Sequence, residues 1–299
     1  MKKHRTLRFF VTLFIVLAAL AGILVGGYFI LDKHVVPKYF GEFGINDMNE
    51  LVGIMTTLYN NKSDKDIATN AFTEEDKSSA ESKLIEVGFP SLSTGKLDYK
   101  SFAEGSFTPE GEAKVTLSDK EFASILNGML ESGILADKLP NLKYINTLNM
   151  SLLELIITPE KIDGELNPNK ADCKFTIKID TSTIRTQIAE EMEMPLFLLN
   201  MIIPKTLYVS MNLIIQSVDG EWAVSNEEIG VNGRTAQQSE ILLNLLIKFI
   251  FPPEDEMTLS KFEKSVGEVI VLGTDFIGDA QFTNKVYNAN LNGVVITLK

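Results

Sequence analysis

The sequence predicts an α+β fold: an N-terminal transmembrane helix, then an ectodomain in which a curved, mostly antiparallel sheet packs on amphipathic helices. Three observations carry that expectation. An uncharged run extends from Phe9 to Leu31. CKFTIKID (173–180) and LYVSMNLIIQ (207–216) alternate apolar and polar side chains, as half-buried strands do. Ser or Thr precedes stretches whose apolar residues recur every three or four positions, the cap and stripe of amphipathic helices.

The bulk numbers set the limits. A chain of 299 residues, 45% hydrophobic and 23% charged, has the composition of a folded protein. Its net charge of -12 argues against a nucleic-acid partner, because a phosphate backbone needs a basic surface. The single cysteine, Cys173, excludes an intrachain disulfide, and a core of this size needs no such staple.

The run from Phe9 to Leu31 would span about 34 Å as a helix, enough for a hydrocarbon core of about 30 Å. Lys2, Lys3, Arg5 and Arg8 precede it, which places residues 1–8 in the cytoplasm and the rest outside. Ala19-Leu20-Ala21 has the small-x-small form of a signal-peptide cleavage site, so cleavage after Ala21 stands as the alternative. It would leave GILVGGYFIL as an apolar new N-terminus. Gly22 and Gly26 have the spacing of a helix-pairing motif. Without those four cations the 28 Lys and Arg fall to 24 against 40 Asp and Glu, a balance near -16. Charge alone then gives no hold on anionic headgroups, and any lipid contact has to be apolar.

Residues 32–95 read as a membrane-proximal helical segment. Asp47, with Glu50 three positions on, caps a helix whose face holds Met48, Leu51, Val52, Met55, Leu58 and Tyr59. NNKSDKDIATN is an expected exposed loop. Thr73 opens a polar helix that Gly88 ends, expected as a solvated face or stalk. Residues 96–299 read as the strand-rich ectodomain. KLDYKSFAEGSF and EAKVTL flank TPEG as a predicted hairpin. Ser118 with Glu121 caps a helix striped by Phe122, Ile125, Leu126, Met129 and Leu130, and Gly133 ends it. In CKFTIKID, residues Cys173, Phe175, Ile177 and Ile179 share one face, and Thr181 or Ser182 caps the helix that follows. In the next strand Leu207, Val209, Met211, Leu213 and Ile215 share one face. Asp219-Gly220 and Asn232-Gly233 are turns, and Thr235 caps the almost wholly apolar SEILLNLLIKFIF. The C-terminal VGEVIVLGTDFIG, DAQFTNKVYNA and LNGVVITL read as further strand. The recurrence of strand, cap and helix fits either a loose duplication or common α+β grammar.

The inventory of reactive groups is thin. His4 and His34 are the only histidines and both flank the anchor, so imidazole catalysis and the usual zinc sites lack their ligand. No GxxxxGK[ST], GxGxxG or DxDxDG pattern occurs. No metal and no cofactor is expected. Cys173 falls at an inward strand position, as a small core residue. Glu190, Glu191 and Glu193, and Glu254, Asp255 and Glu256, keep a carboxylate-dependent hydrolase open. What stands out is apolar surface: Met192, Met194, Leu196 to Leu199, and Met201 to Ile203, with Pro195 and Pro204 bounding a segment too short to cross a bilayer. Read as core it needs no comment. Read as the wall of an apolar groove it would hold an acyl chain at about 0.8 kcal/mol per buried methylene, with Phe197, Met201, Met211, Leu213, Leu245 and Phe249 as its candidate lining.

KVTLSDKEFASILNGML, where a strand runs into a Ser-Asp cap and a helix, and LYVSMNLIIQSVDGEWAVSNEEIGVNG before an apolar helix carry a resemblance. The anchored chain resembles membrane-anchored bacterial proteins with tubular, BPI-like lipid-binding ectodomains. That resemblance implies a long sheet wrapped on a helix around an apolar tunnel. The expected function is therefore non-catalytic binding or transfer of a lipid or other apolar ligand at the cell envelope. The alternatives are a protein-interaction or scaffold module with envelope partners, and the hydrolase.

Overall fold

The computed structural model describes residues 28–41, 45–58, 64–103, 113–133, 149–191, 193–218, 221–234, 247, 279–286 and 291–298. The fold is α+β, with two antiparallel sheets and several helices. Most of the expected anchor run, with Gly22 and Gly26, lies outside the described residues. Among the described residues no helix is long and apolar enough to cross a membrane.

The chain enters as helix at 28–30, passes through a π turn (Leu31–Val35) and continues as α1 (Val36–Phe40). Val36 and Phe40 are already core residues. Helix α2 (Met48–Leu58) follows. Asp47 Oδ1 accepts from Glu50 N at 2.9 Å, and Glu50 Oε2 accepts from Asn46 N at 2.7 Å. Met48 and Leu51 bury, but Val52, placed on the same predicted stripe, faces outward. The stretch expected as an exposed loop holds a helical turn, α3 (Asp64–Ile67), that is fastened to the large sheet.

Helix α4 (Glu74–Glu86) carries the reciprocal cap Thr73/Asp76. At its end Gly88 N donates to Ile85 O and Phe89 N to Leu84 O, with Gly88 at φ 100°, a Schellman closure. Of the two expectations for this helix the solvated face is present, at Glu75, Ser78, Ser82 and Glu86, whereas a stalk does not hold, because Ala80 and Leu84 enter the core and Glu81 buries beside them. TPEG itself lies outside the described residues, and the described part of the strand expected before it is helical. Asp98 accepts from the backbone of Lys100 and Ser101 and from Ser101 Oγ, which starts the short helix α5 (Tyr99–Ala103) instead of a strand. Among the described residues the partner of β1 (Ala113–Ser118) is the strand at Gly293–Leu298.

Helix α6 (Asp119–Glu131) has the predicted Ser118/Glu121 capping box. Strands β2 (Asn149–Ile162) and β3 (Glu165–Asp180) form a long hairpin. Its turn is Asp163-Gly164, both at positive φ, a two-residue signal of the kind that reverses a hairpin. Helices α7 (Ser182–Glu191) and α8 (Leu196–Ile202) connect β3 to β4 (Thr206–Val218), and β5 (Glu221–Val231) completes the sheet in the order β2-β3-β4-β5. Strands β6 (Asp279–Thr283) and β7 (Gly293–Leu298) make the second sheet, ordered β1-β7-β6. The expected strand VGEVIVLGTDFIG and most of SEILLNLLIKFIF lie outside the described residues; Ile247 is buried.

One continuous apolar core runs from Val36 through Leu84, Leu117, Leu155 and Leu199 to Ile296. It therefore joins both sheets to helices on either side of residue 95. Helix α6 covers the outer edge of β2, where Leu152 N donates to Asn127 Oδ1 at 2.8 Å. That bond occupies an edge donor that a foreign strand would otherwise find.

Candidate functional site

The inward face of the large sheet is built by alternation. Phe175 lies opposite Met211, Cys173 opposite Leu213, and Met211 opposite Ile229. Met211 and Leu213 are buried. Burial in this face pushes the Cys173 thiol up, so it stays protonated and behaves as a small apolar residue. Of the other predicted lining residues, Phe197 and Met201 lie on α8, while Leu245 and Phe249 fall outside the described residues.

The connection from β3 to β4 is a clasp. Thr181 N donates to Lys205 O, and Thr181 Oγ1 donates to Pro204 O and Lys205 O. The hydroxyl thus closes the neck of the connection instead of capping α7; Ser182 N donates to Asp180 Oδ1. Glu193 N donates to Glu190 O and Met194 N to Ala189 O, with Glu193 at φ 48°. The acidic stretch at 190–193 is accordingly the end of a helix closed by a Schellman turn. Ser182 Oγ and Arg185 Nε are buried with no hydrogen-bond partner among the described residues. Helix α8 is split by environment: Leu198 and Leu199 bury, whereas Leu196 and Phe197 are 41% and 62% exposed.

The outward face of the same sheet is polar and is crossed by residues 64–70. Lys178 Nζ donates to Asp64 Oδ2 at 2.8 Å, and Tyr208 Oη donates to Asp64 Oδ1 at 2.6 Å. Further along, Asn70 N donates to Glu154 Oε1 at 2.5 Å, and Lys174 Nζ stands 3.8 Å from Glu154 Oε2. Glu154 is wholly buried. Asn70 Nδ2 donates to Asp119 Oδ2 at 3.1 Å, so one asparagine bridges two carboxylates. Burial raises Asp119 against the bonds from Lys120 N and Asn70 that lower it. Spacing along the chain gave no sign of this arrangement, because its members come from the 64–70 crossing and from β2, β3, β4 and α6. It reads as a latch that holds the 64–70 crossing on the sheet.

The latch has a pH signature. The bond from Lys178, then that from Tyr208, holds the Asp64 carboxyl below its ordinary value, and Tyr208 is pushed up to about 12, chiefly by burial. A carboxyl depressed in the folded state contributes stability above its unfolded pKa of about 3.9, and loses it as pH falls through the folded value. Amide protection of residues 64–70 is therefore expected to stay constant from neutral pH down to about 4 and to fall below it. Asp64→Asn should lower that protection at neutral pH and flatten its acid dependence, as followed by hydrogen exchange.

Among the described residues no three His, Cys, Asp or Glu side chains converge on a metal position. Glu254, Asp255 and Glu256 lie outside the described residues. No protein family, no curated protein and no solved structure matches this chain.

Proposed function

We propose that the chain is a single-pass, membrane-anchored protein whose extracytoplasmic α+β domain binds or passes along a lipid or other apolar ligand at the cell envelope, without catalysis. The observation that carries the reading is α8. Its exposed Leu196 and Phe197 continue directly into the buried Leu198 and Leu199, so a hydrocarbon tail meeting the surface there is one helical turn from the core. The register shifts in β2 and β5 add twist, which favours the curved sheet that the resemblance to BPI-like domains implies. The distribution of charge agrees, because an exterior this acidic needs an apolar contact to hold a lipid.

The test uses the chain without residues 1–27, purified without detergent and examined by native mass spectrometry. A co-purified lipid mass and uptake of a fluorescent fatty acid are the expected results. Phe197→Asp, at an exposed position, should weaken uptake about tenfold, the 1.4 kcal/mol that burial of about two methylenes supplies. A bare mass with no uptake overturns the reading. A second reading has its own support: Met211 and Leu213 are enclosed by cross-strand neighbours within one continuous core. If these residues are only core, the domain is an interaction module, and pull-down should recover envelope proteins without lipid.

A further inference from the structure

The described helix opens at Tyr28, within the uncharged run that ends at Leu31, and continues without a break into the folded domain. The uncharged run ends at Leu31, and the next residue, Asp32, is already buried, its Oδ1 accepting from Met48 N at the start of α2 at 2.8 Å. That bond, and to a lesser degree Lys33, hold the Asp32 carboxyl below its usual range, so the acceptor stays ionised against the positive end of α2. Tyr28 Oη donates to Asn49 Oδ1 at 3.1 Å. From Leu31 to the core residue Val36 is about 8 Å of helix at 1.5 Å per residue. A bilayer entered at Leu31 therefore has the start of α2 within roughly 10 Å of its boundary.

Apolar side chains stand exposed at this entry and on the helices packed next to it. Tyr28, Phe29 and Ile30 are exposed at the helix entry. Val52 lies one turn from Asn49 on α2 and is also exposed. Helix α8 packs against α2 and brings the exposed Leu196 and Phe197. Lys33 and Lys38 stand exposed on the entry helix, placed to meet headgroup phosphates while their stems lie on apolar surface.

We infer that the α2–α8 face, with Val52, Leu196 and Phe197, rests in the headgroup and acyl boundary of the phospholipid bilayer beside the anchor. This rests on the membrane-anchored reading. It deepens the proposed function by giving the ligand a direct route from bilayer to domain through α8, with no aqueous transit. The argument for the bilayer as occupant is that unbroken helix. A domain on a flexible tether samples all orientations, whereas one fused to its anchor through a buried Asp32 and Val36 presents a fixed side.

Depth-dependent fluorescence quenching tests it on the full chain, reconstituted in phosphatidylcholine vesicles with and without brominated phosphatidylcholine. The only tryptophan, Trp222, is first replaced by Phe. Single tryptophans are then placed as Phe29→Trp, Phe197→Trp, Val52→Trp and Ile162→Trp, the last at the exposed hairpin tip. A ring seated about 5–10 Å into the boundary should lose about half of its emission. The expected result is quenching at 29, 52 and 197 and none at 162. Quenching at 29 with none at 52 and 197 overturns the docking and leaves the anchor standing. Protection at 197 that depends on protein density and not on bromine overturns it in favour of a second copy. Absence of quenching at 29 removes the anchor and the docking together. Quenching at 162 as strongly as at 197 overturns the fixed orientation.

Discussion

Gly293→Ala is expected to unpair the first strand of the small sheet from the last. A Cβ at Gly293 would overlap Leu117 O and come within 2.8 Å of Val286 Cγ2. The nearer atom is backbone, so no rotamer change relieves the contact. Gly293 lies opposite Ser118 in the β1–β7 register, and Asp119 N donates to Asn292 O one step further on. Separating these strands opens the ladder that carries Leu117 opposite Val294 and Val115 opposite Ile296, all four of them core residues. The cost should be on the order of 4 kcal/mol, a large share of a domain's margin of about 5–15 kcal/mol. At about 2–4 °C per kcal/mol the melting temperature falls by roughly 8–16 °C. Hydrogen exchange should show protection lost first at 113–118 and 293–298. Gly53→Ala is the control: nothing stands within 4 Å of its Cβ, and it should melt no lower than the parent. An unchanged melting temperature for Gly293→Ala would show that the strands do not meet this closely.

That pairing illustrates what the sequence does and does not disclose. Capped helices were legible because their signals are local: Ser118 with Glu121 and Asp47 with Glu50 each act within one turn, and Thr73 and Gly88 each mark one end of α4. The second half of β3, residues 173–180, and β4 were legible because their alternation is unbroken, whereas the first half of β3 was not read as strand. Strand β2 was missed for a physical reason. Its register shifts between Leu152 and Glu154, so the inward set changes from Met150 and Leu152 to Leu155 and Ile157, and period-two alternation cancels across the shift. The described partner of β1 was not legible because it lies near the other end of the chain, and no local pattern encodes such a contact. At the candidate site the apolar run of α8 was visible as composition, but its split into exposed Phe197 and buried Leu199 is set by packing. The polar latch was not visible at all. Asp64, Asn70 and Glu154 look like ordinary loop and strand residues until the sheet brings them together.

Glu121→Ala should be the most damaging single change at a charged residue among those with described partners. Glu121 is 2% exposed and serves two structures at once. Its Oε2 accepts from Ser118 N as half of the capping box of α6. Its Oε1 accepts from Ser79 Oγ at 2.6 Å, and Lys83 Nζ lies 2.8 and 2.9 Å from the two oxygens while also donating to Thr116 O. One carboxylate therefore joins α4, β1 and α6. Removing one member of a buried ion pair costs about 3–5 kcal/mol, far above an exposed pair at about 0–1 kcal/mol. A fall in melting temperature of about 10 °C or more is expected, and it should be insensitive to salt because the pair is shielded from solvent ions. Glu121→Gln keeps an acceptor for Ser118 N and loses only the charge, so its cost should be roughly half. The decisive measurement is the double-mutant cycle with Lys83→Met. If the cost of Glu121→Ala arises mainly from the ammonium left without its carboxylate, Lys83→Met should recover most of it, with a coupling of about 2 kcal/mol. Additive losses would instead assign the cost to the helix cap, and the hold between α4 and α6 would then rest on buried residues such as Ala80, Leu84 and Ile125 and on the Lys77–Glu131 pair at 3.7 Å.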